Sequence, residues 1–237
     1  MPSKTALPKT ATNPDSFIAL QNVHKDYSAE QGQVHALRGA DMQVAKGEFV
    51  AIVGPSGCGK STLLNLLGGI DAPSSGTLSV NGWNLGEFNE TQLTEYRRHG
   101  VGIIFQFFNL LPLLSVLENV LLPTQLAGNN RNESQKSAIE LVEMVGLKEK
   151  IREPASHLSG GQMQRVAVVR AMVNNPLLLL ADEPTGNLDT ASANDVLKVL
   201  LELSAARQTT VLMVTHSEAA AKVAGRVLRM SDGVFVE

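Results

Sequence analysis

Residues Gly54-Pro-Ser-Gly-Cys-Gly-Lys60-Ser61 stand between a short apolar run and a leucine-rich one. That order suits a phosphate-binding loop, which needs a strand before it and a helix after it. Gly54, Gly57 and Gly59 let the backbone curl, so that successive amide N–H groups point at phosphate oxygens. A helix starting near Lys60 adds the positive end of its dipole. Lys60 supplies a point charge for the β- and γ-phosphates, and the Ser61 hydroxyl is the expected Mg²⁺ ligand. Pro55, Ser56, Cys58 and Thr62 complete the segment, with Cys58 as filler rather than a reactive thiol. A second group of reactive types is Asp182-Glu183, directly after Leu177-Leu-Leu-Leu-Ala. The leucines predict a buried strand, and ligands of α/β sheets bind at the carboxyl ends of strands. Asp182 is placed to hold Mg²⁺ through water, and Glu183 to orient or deprotonate an attacking water. Together the two groups point to hydrolysis of a phosphate ester or anhydride.

The elements that must position these residues follow from the apolar pattern. Phe17 to Val23 predicts a strand, and Val34–Leu37 and Ala40–Val44 continue with rough strand alternation. After a turn at Lys46-Gly47, Glu48 to Val53 is apolar enough for a buried strand. Lys60 to Gly68 predicts a helix with Leu63, Leu64, Leu66 and Leu67 on its apolar side. Val116 to Met172 is mainly helical, including Asn132–Val145 and Met163–Met172. The chain then alternates: strand Leu177–Ala181, helix Ala191–Ala206, strand Thr209–Thr215. A hairpin around Asp232-Gly233 joins Arg226–Met230 to Val234–Val236. The expected architecture is a mainly parallel α/β core sheet with an antiparallel β part and a helical insertion at 107–173. Met1 to Ser16, with three prolines among Thr, Lys and Asn, reads as a flexible tail, leaving 17–237 as one domain.

Composition narrows the classes of function. The 237 residues are 43% apolar, enough to fill a core, and the net charge of −3 offers no broad surface for nucleic acid. One cysteine allows no internal disulfide and suits a reducing cytosol. No apolar run reaches the roughly 18–20 residues that span a bilayer. The N-terminal lysines precede no apolar h-region, so no secretory signal is expected. The expectation is a soluble, cytoplasmic protein whose membrane role, if any, runs through a partner.

Leu158-Ser-Gly-Gly-Gln162 adds a third motif. Ser159 can cap the helix that follows, and the amides of Gly160 and Gly161 offer another anion site. With all three motifs in order, the chain resembles an ATP-binding cassette (ABC) ATPase over nearly its whole length, a variant of the P-loop NTPase fold. The resemblance implies ATP and Mg²⁺ as ligands. It implies that Tyr27, after Val23-His-Lys-Asp, stacks on adenine. Gln106, in Ile103-Ile-Phe-Gln-Phe-Phe-Asn, would contact Mg²⁺ and link the nucleotide to the insertion. Asp189, in Asn187-Leu-Asp, would cross to a partner's site, and His216, closing Val211-Leu-Met-Val-Thr-His, would reach the γ-phosphate. In that family the signature of one subunit closes over the nucleotide held by another. A homodimer with two competent sites is therefore sufficient.

Val34-His-Ala-Leu-Arg-Gly, Leu64-Asn-Leu-Leu-Gly-Gly-Ile-Asp-Ala-Pro-Ser-Ser-Gly and Phe105-Gln-Phe-Phe-Asn-Leu-Leu-Pro are similar to the lipoprotein-release and macrolide-export (LolD/MacB) branch. That branch implies a separate integral membrane permease with a large extracytoplasmic domain. It also implies a place on the cytoplasmic face of the bacterial inner membrane. Phe107, Phe108, Leu110 and Leu111 either pack inside the insertion or line the groove that receives a permease helix. His24, His35, His99 and His157 lack ligand spacing and are surface or structural. The competing class is an ABC ATPase linked to nucleic acid. Its coiled coils, zinc modules and tandem cassettes have no counterpart here, and no nucleic-acid partner is expected. A GTPase or kinase would leave Leu158–Gln162 unexplained, and no Asn-Lys-x-Asp segment is present.

Overall fold

The computed structural model describes residues 16–29 and 32–236, so only Ser16 of the expected tail falls among the described residues. Strands β1 (Ile18–Ala29) and β2 (Gly32–Val44) pair antiparallel. The two alternating runs expected over 34–44 are one strand, with Gly39 at a φ of 88° between them. Next come β3 (Phe49–Val53), the phosphate loop, and helix α1 (Lys60–Leu67). The following segment carries β4 (Ser75–Val80), β5 (Trp83–Asn84), α2 (Glu90–His99) and β6 (Val101–Ile104). Helices α3 (Val116–Leu126), α4 (Arg131–Met144) and α5 (Gly160–Met172) form the insertion. The helices of the expected insertion thus begin at Val116, after a stretch of turns that follows β6. The chain closes with β7 (Leu178–Asp182), α6 (Thr190–Arg207), β8 (Thr210–Thr215), the single turn α7 (Glu218–Ala221), β9 (Arg226–Ser231) and β10 (Val234–Val236).

Two sheets result. The antiparallel one has the order β2-β1-β4-β5, and the central one β10-β9-β3-β8-β7-β6. Every pair of the central sheet is parallel except the β9–β10 hairpin. Both faces of this sheet are covered, which is why β3, β7 and β8 read as unbroken apolar runs. Alternate residues feed two cores. Ala51, Val53, Leu179, Ala181, Val211 and Met213 face the core shared with the insertion and α6. Val50, Ile52, Leu178, Leu180, Leu212 and Val214 face the core shared with α1 and the antiparallel sheet. A one-residue slip in any of these strands would exchange the two sets, so the sheet register is strongly specified. The phosphate loop, Asp182 and His216 consequently stand at the carboxyl ends of three neighbouring interior strands, β3, β7 and β8.

Candidate functional site

The phosphate loop joins β3 to α1 as expected, but its glycines act for different reasons. Gly57 and Gly59 have φ of 80° and 107°, in the left-handed region that favours glycine. Gly54 does not; a Cβ there would lie 2.1 Å from the Met230 carbonyl oxygen. Its role is close approach of β9 to the loop rather than backbone freedom. Cys58 is buried beneath the loop, with Sγ 3.8 Å from Lys60 Nζ. Lys60 is itself buried and donates to the carbonyls of Gly54 at 2.7 Å and Pro55 at 2.8 Å. Ser61 stands one residue further on and donates its hydroxyl to Asp182 Oδ1 at 3.4 Å. Burial pushes the Asp182 carboxyl up, against the opposing Ser61 hydrogen bond, with neighbouring Glu183 adding to the rise and Lys60 countering it.

Glu183 leaves β7 with a φ of 46°, a conformation that costs free energy in a residue with a side chain. The backbone is held there by its N–H, which donates to Val214 O at 3.0 Å. Both carboxylate oxygens are engaged. Thr215 donates its hydroxyl to Oε2 at 3.1 Å, and His216 Nδ1 lies 2.9 Å from Oε1. A carboxylate only accepts, so Nδ1 carries the hydrogen and Nε2 is the free nitrogen of the exposed His216 ring. Each carboxylate oxygen has a second lone pair, so Glu183 can still take a proton from a water.

Gln106 follows β6 and lies against the loop after Glu183. Its Nε2 is 3.3 Å from the position of a Cβ at Gly186, and its carbonyl accepts from Asn187 Nδ2 at 2.9 Å. Beyond it, Phe108 and Asn109 both have positive φ, 54° and 50°. Arg170 of α5 donates to both of their carbonyl oxygens. The helix that starts at the signature therefore pins the bend after Gln106. Arg170 and Thr215 were not picked out from the sequence. An arginine inside an apolar helix stretch was the available sign of the first; the second lies one residue before His216 with no mark of its own.

The signature sits elsewhere. Ser159 caps α5 as anticipated, and Gln162 completes a capping box by accepting from the Ser159 N–H at 2.9 Å. The Gln162 side chain is thus turned back on its own helix. Asp189 likewise caps α6, accepting from the Ser192 N–H at 3.0 Å and its hydroxyl at 2.6 Å. A Cβ on Gly161 would stand 2.9 Å from Ser192 Cβ, and one on Gly160 would stand 3.4 Å from Leu188. Signature and Asp189 segment are therefore packed as one patch. Among the described residues, no hydrogen bond or ion pair joins Ser159, Gly160, Gly161 or Gln162 to the phosphate loop.

A groove of about 530 Å³ opens between α2, β6 and the insertion, lined by Ile70, Arg97, Phe105, Asn109, Leu126 and Arg170 among others. The apolar residues after Gln106 lie elsewhere: Phe107, Phe108 and Leu110 line a separate hollow of about 170 Å³ with Pro112, Ala155 and Met163, Leu110 also packs on the insertion core, and Phe107 and Leu111 are exposed.

The ABC transporter family model matches residues 37–186. The chain belongs to that family. It is an ABC ATPase cassette, an ATP-binding and ATP-hydrolysing subunit. The lipoprotein-releasing system ATP-binding protein LolD of Legionella pneumophila (strain Lens) is 42% identical over 92% of this chain and 96% of its own. The macrolide export ATP-binding/permease protein MacB of Syntrophobacter fumaroxidans is also 42% identical over 92% of this chain, a match that covers 31% of MacB. The cassette therefore corresponds to part of MacB and to nearly all of LolD. Among solved structures, the dimeric ABC transporter cassette MJ0796 has a TM-score of 0.84 at 38% identity, over 93% of this chain and 97% of that one. A post-hydrolysis dimer of MJ0796 bound to ADP and phosphate superimposes with the same TM-score of 0.84.

Proposed function

We propose that two copies of this chain close on two ATP molecules and hydrolyse them to drive a separate membrane permease. The observation that carries this reading is the division of the site. Lys60, Ser61, Asp182, Glu183 and His216 stand together at the carboxyl ends of the central strands, while Ser159, Gly160 and Gly161 lie in another patch with Asp189. A second copy related by two-fold symmetry brings one set against the other.

In this reading the backbone N–H groups of Gly54, Ser56, Gly57, Cys58, Gly59, Lys60, Ser61 and Thr62 cradle the phosphates, Pro55, which has no N–H, shapes the loop, and the Lys60 ammonium neutralises the phosphate charge. Tyr27 stacks on adenine. Ser61 and Asp182, a hydroxyl and one carboxylate, fit a Mg²⁺ ion that keeps several waters, with Gln106 as a further oxygen donor. The ion would supply charge neutralisation on the phosphates. Glu183 takes the proton of the attacking water, and the ring edge of His216 away from Glu183 reaches the γ-phosphate, to which Nε2 donates only when it carries a hydrogen of its own. The partner's signature amides complete the anion site.

Residues 17–237 form the ATPase domain, with 107–173 as the arm that carries the signature. The groove is the docking site for a permease helix, because its exposed apolar lips, Ile70 and Leu126, share it with Phe105, the residue before Gln106. Among the described residues no helix is long and apolar enough to cross a membrane. Attachment to the cytoplasmic face of a bacterial inner membrane then runs through the permease, an integral protein with a large extracytoplasmic domain as in the LolD/MacB branch.

Glu183→Gln tests the shared site. It keeps the shape and one of the two accepting positions but cannot act as base, so hydrolysis falls by about 10²–10⁴-fold. With Mg-ATP it should elute as a dimer holding two nucleotides. A variant that stays monomeric with ATP bound would overturn the division of the site between copies.

A further inference from the structure

Tyr27 is 37% exposed on β1, in the antiparallel sheet, yet its ring is held from several sides. Its hydroxyl donates to Asp71 Oδ2 at 2.8 Å. Asp71 Oδ1 accepts from Lys25 Nζ at 2.6 Å and from the Ala72 N–H at 2.7 Å. Lys25 Nζ also donates to the Ala72 carbonyl at 2.9 Å and lies 4.8 Å from the centre of the Tyr27 ring. Lys25 is the more enclosed partner, its side chain 12% exposed. Asp71 follows α1, and its own N–H donates to Asn65 O at 3.3 Å. Tyr27 is thereby fastened, through Asp71, to the C-terminal end of the helix that begins at the phosphate loop.

An exposed tyrosine ring has two free torsions, and a stacking platform gains affinity when they are fixed before the ligand arrives. With Lys25 over one ring face, a base has the other to stack on. On the reading of Tyr27 as the adenine platform, we infer that Asp71 and Lys25 are positioning residues that set the tilt of this ring. Through it they control affinity for the base half of the nucleotide, without touching the phosphates. Burial raises the Asp71 carboxyl, but the hydrogen bonds from Lys25, Tyr27 and Ala72 outweigh it and hold the group below its ordinary range. The carboxylate is therefore charged, and a full acceptor, at neutral pH.

The test separates base from phosphate. The full chain is titrated with Mg-ADP and, separately, with inorganic tripolyphosphate. Asp71→Ala should weaken Mg-ADP by about threefold to tenfold, the range for losing one such hydrogen bond. Tripolyphosphate should bind as before, and KM for ATP should rise while kcat holds. Tyr27→Phe keeps the ring and loses only the hydroxyl, so it tests the same tie in a chain whose core is untouched. It should show the same base-selective loss, and adding Asp71→Ala to it should cost less than in the parent chain. Equal weakening of ADP and tripolyphosphate, or unchanged ADP binding in both variants, overturns the inference. Tyr27→Ala checks the underlying reading by itself: unchanged ADP affinity there removes the platform, whatever Asp71 does.

Discussion

Alanine at two glycines of the phosphate loop should separate packing from phosphate binding. At Gly54 a methyl group meets the Met230 carbonyl oxygen at 2.1 Å and Cys58 Sγ at 2.9 Å. The first contact must open by about 1 Å to reach van der Waals range. Both sides of it are backbone, so no rotamer change relieves it. Overpacking typically costs about 1–3 kcal/mol, and a backbone clash belongs at the upper end. For a chain of this size about 3 kcal/mol lowers Tm by about 6–12 °C. At Gly57 a methyl group meets nothing within 4 Å, but φ is 80°. Left-handed strain costs about 1–2 kcal/mol, partly offset by the less flexible unfolded chain, so Tm should fall by only about 2–4 °C. The order reverses for nucleotide, because the Gly57 methyl projects on the open side of the cradle. Saturation at about 100 Kd adds about 2.7 kcal/mol to a chain that binds, and Gly57→Ala should lose most of that gain. Thermal unfolding with and without Mg-ATP reads both effects. If Gly54→Ala melts within about 2 °C of the parent, or Gly57→Ala falls further than Gly54→Ala, the separation of roles is wrong.

Lys60→Ala should lose binding of a fluorescent ATP analogue, since the phosphate charge is left unmatched; unchanged affinity would mean that the loop binds something else. Ser159→Arg should retain ATP but not hydrolyse it, because the lesion falls on the partner's nucleotide, and a homodimer of this variant turning over at the parent rate would refute the composite site. Asp182→Asn should abolish hydrolysis yet make the nucleotide-free chain more resistant to urea at pH 7. Burial raises the folded Asp182 pKa above its ordinary 3.8, so the parent loses stability as pH rises from 3.8 through the folded value. The advantage of Asn is therefore complete above that window and shrinks toward pH 4. Urea midpoints at pH 4.5 and 7 check it, and an advantage that grows on acidification would reverse the sign.

The chemistry was visible in the chain because it is carried by short contiguous segments. A phosphate loop, a strand ending in two carboxylates and a capped glycine pair each work through backbone geometry that neighbouring residues impose. The buried strands were equally plain, since a sheet covered on both faces demands unbroken apolar runs. Residues 69–106 were harder. Strands β4 and β5 are short, and β6 has only four residues, Val101–Ile104, so neither periodicity nor length marks them. Tertiary structure alone decided the supporting contacts. Asp71 and Lys25 are 46 positions apart, and Arg170 meets Asn109 across 61. Thr215 reaches Glu183 only because β8 lies beside β7 in the sheet. It likewise decided that Gly54 is small for packing and that the apolar run after Gln106 lines a smaller hollow than the groove beside β6. Sequence records what a segment needs locally. Which distant side chain satisfies a hydrogen bond, or fills the space above a glycine, depends on strand order and helix packing, and those are set by the burial of both sheet faces together.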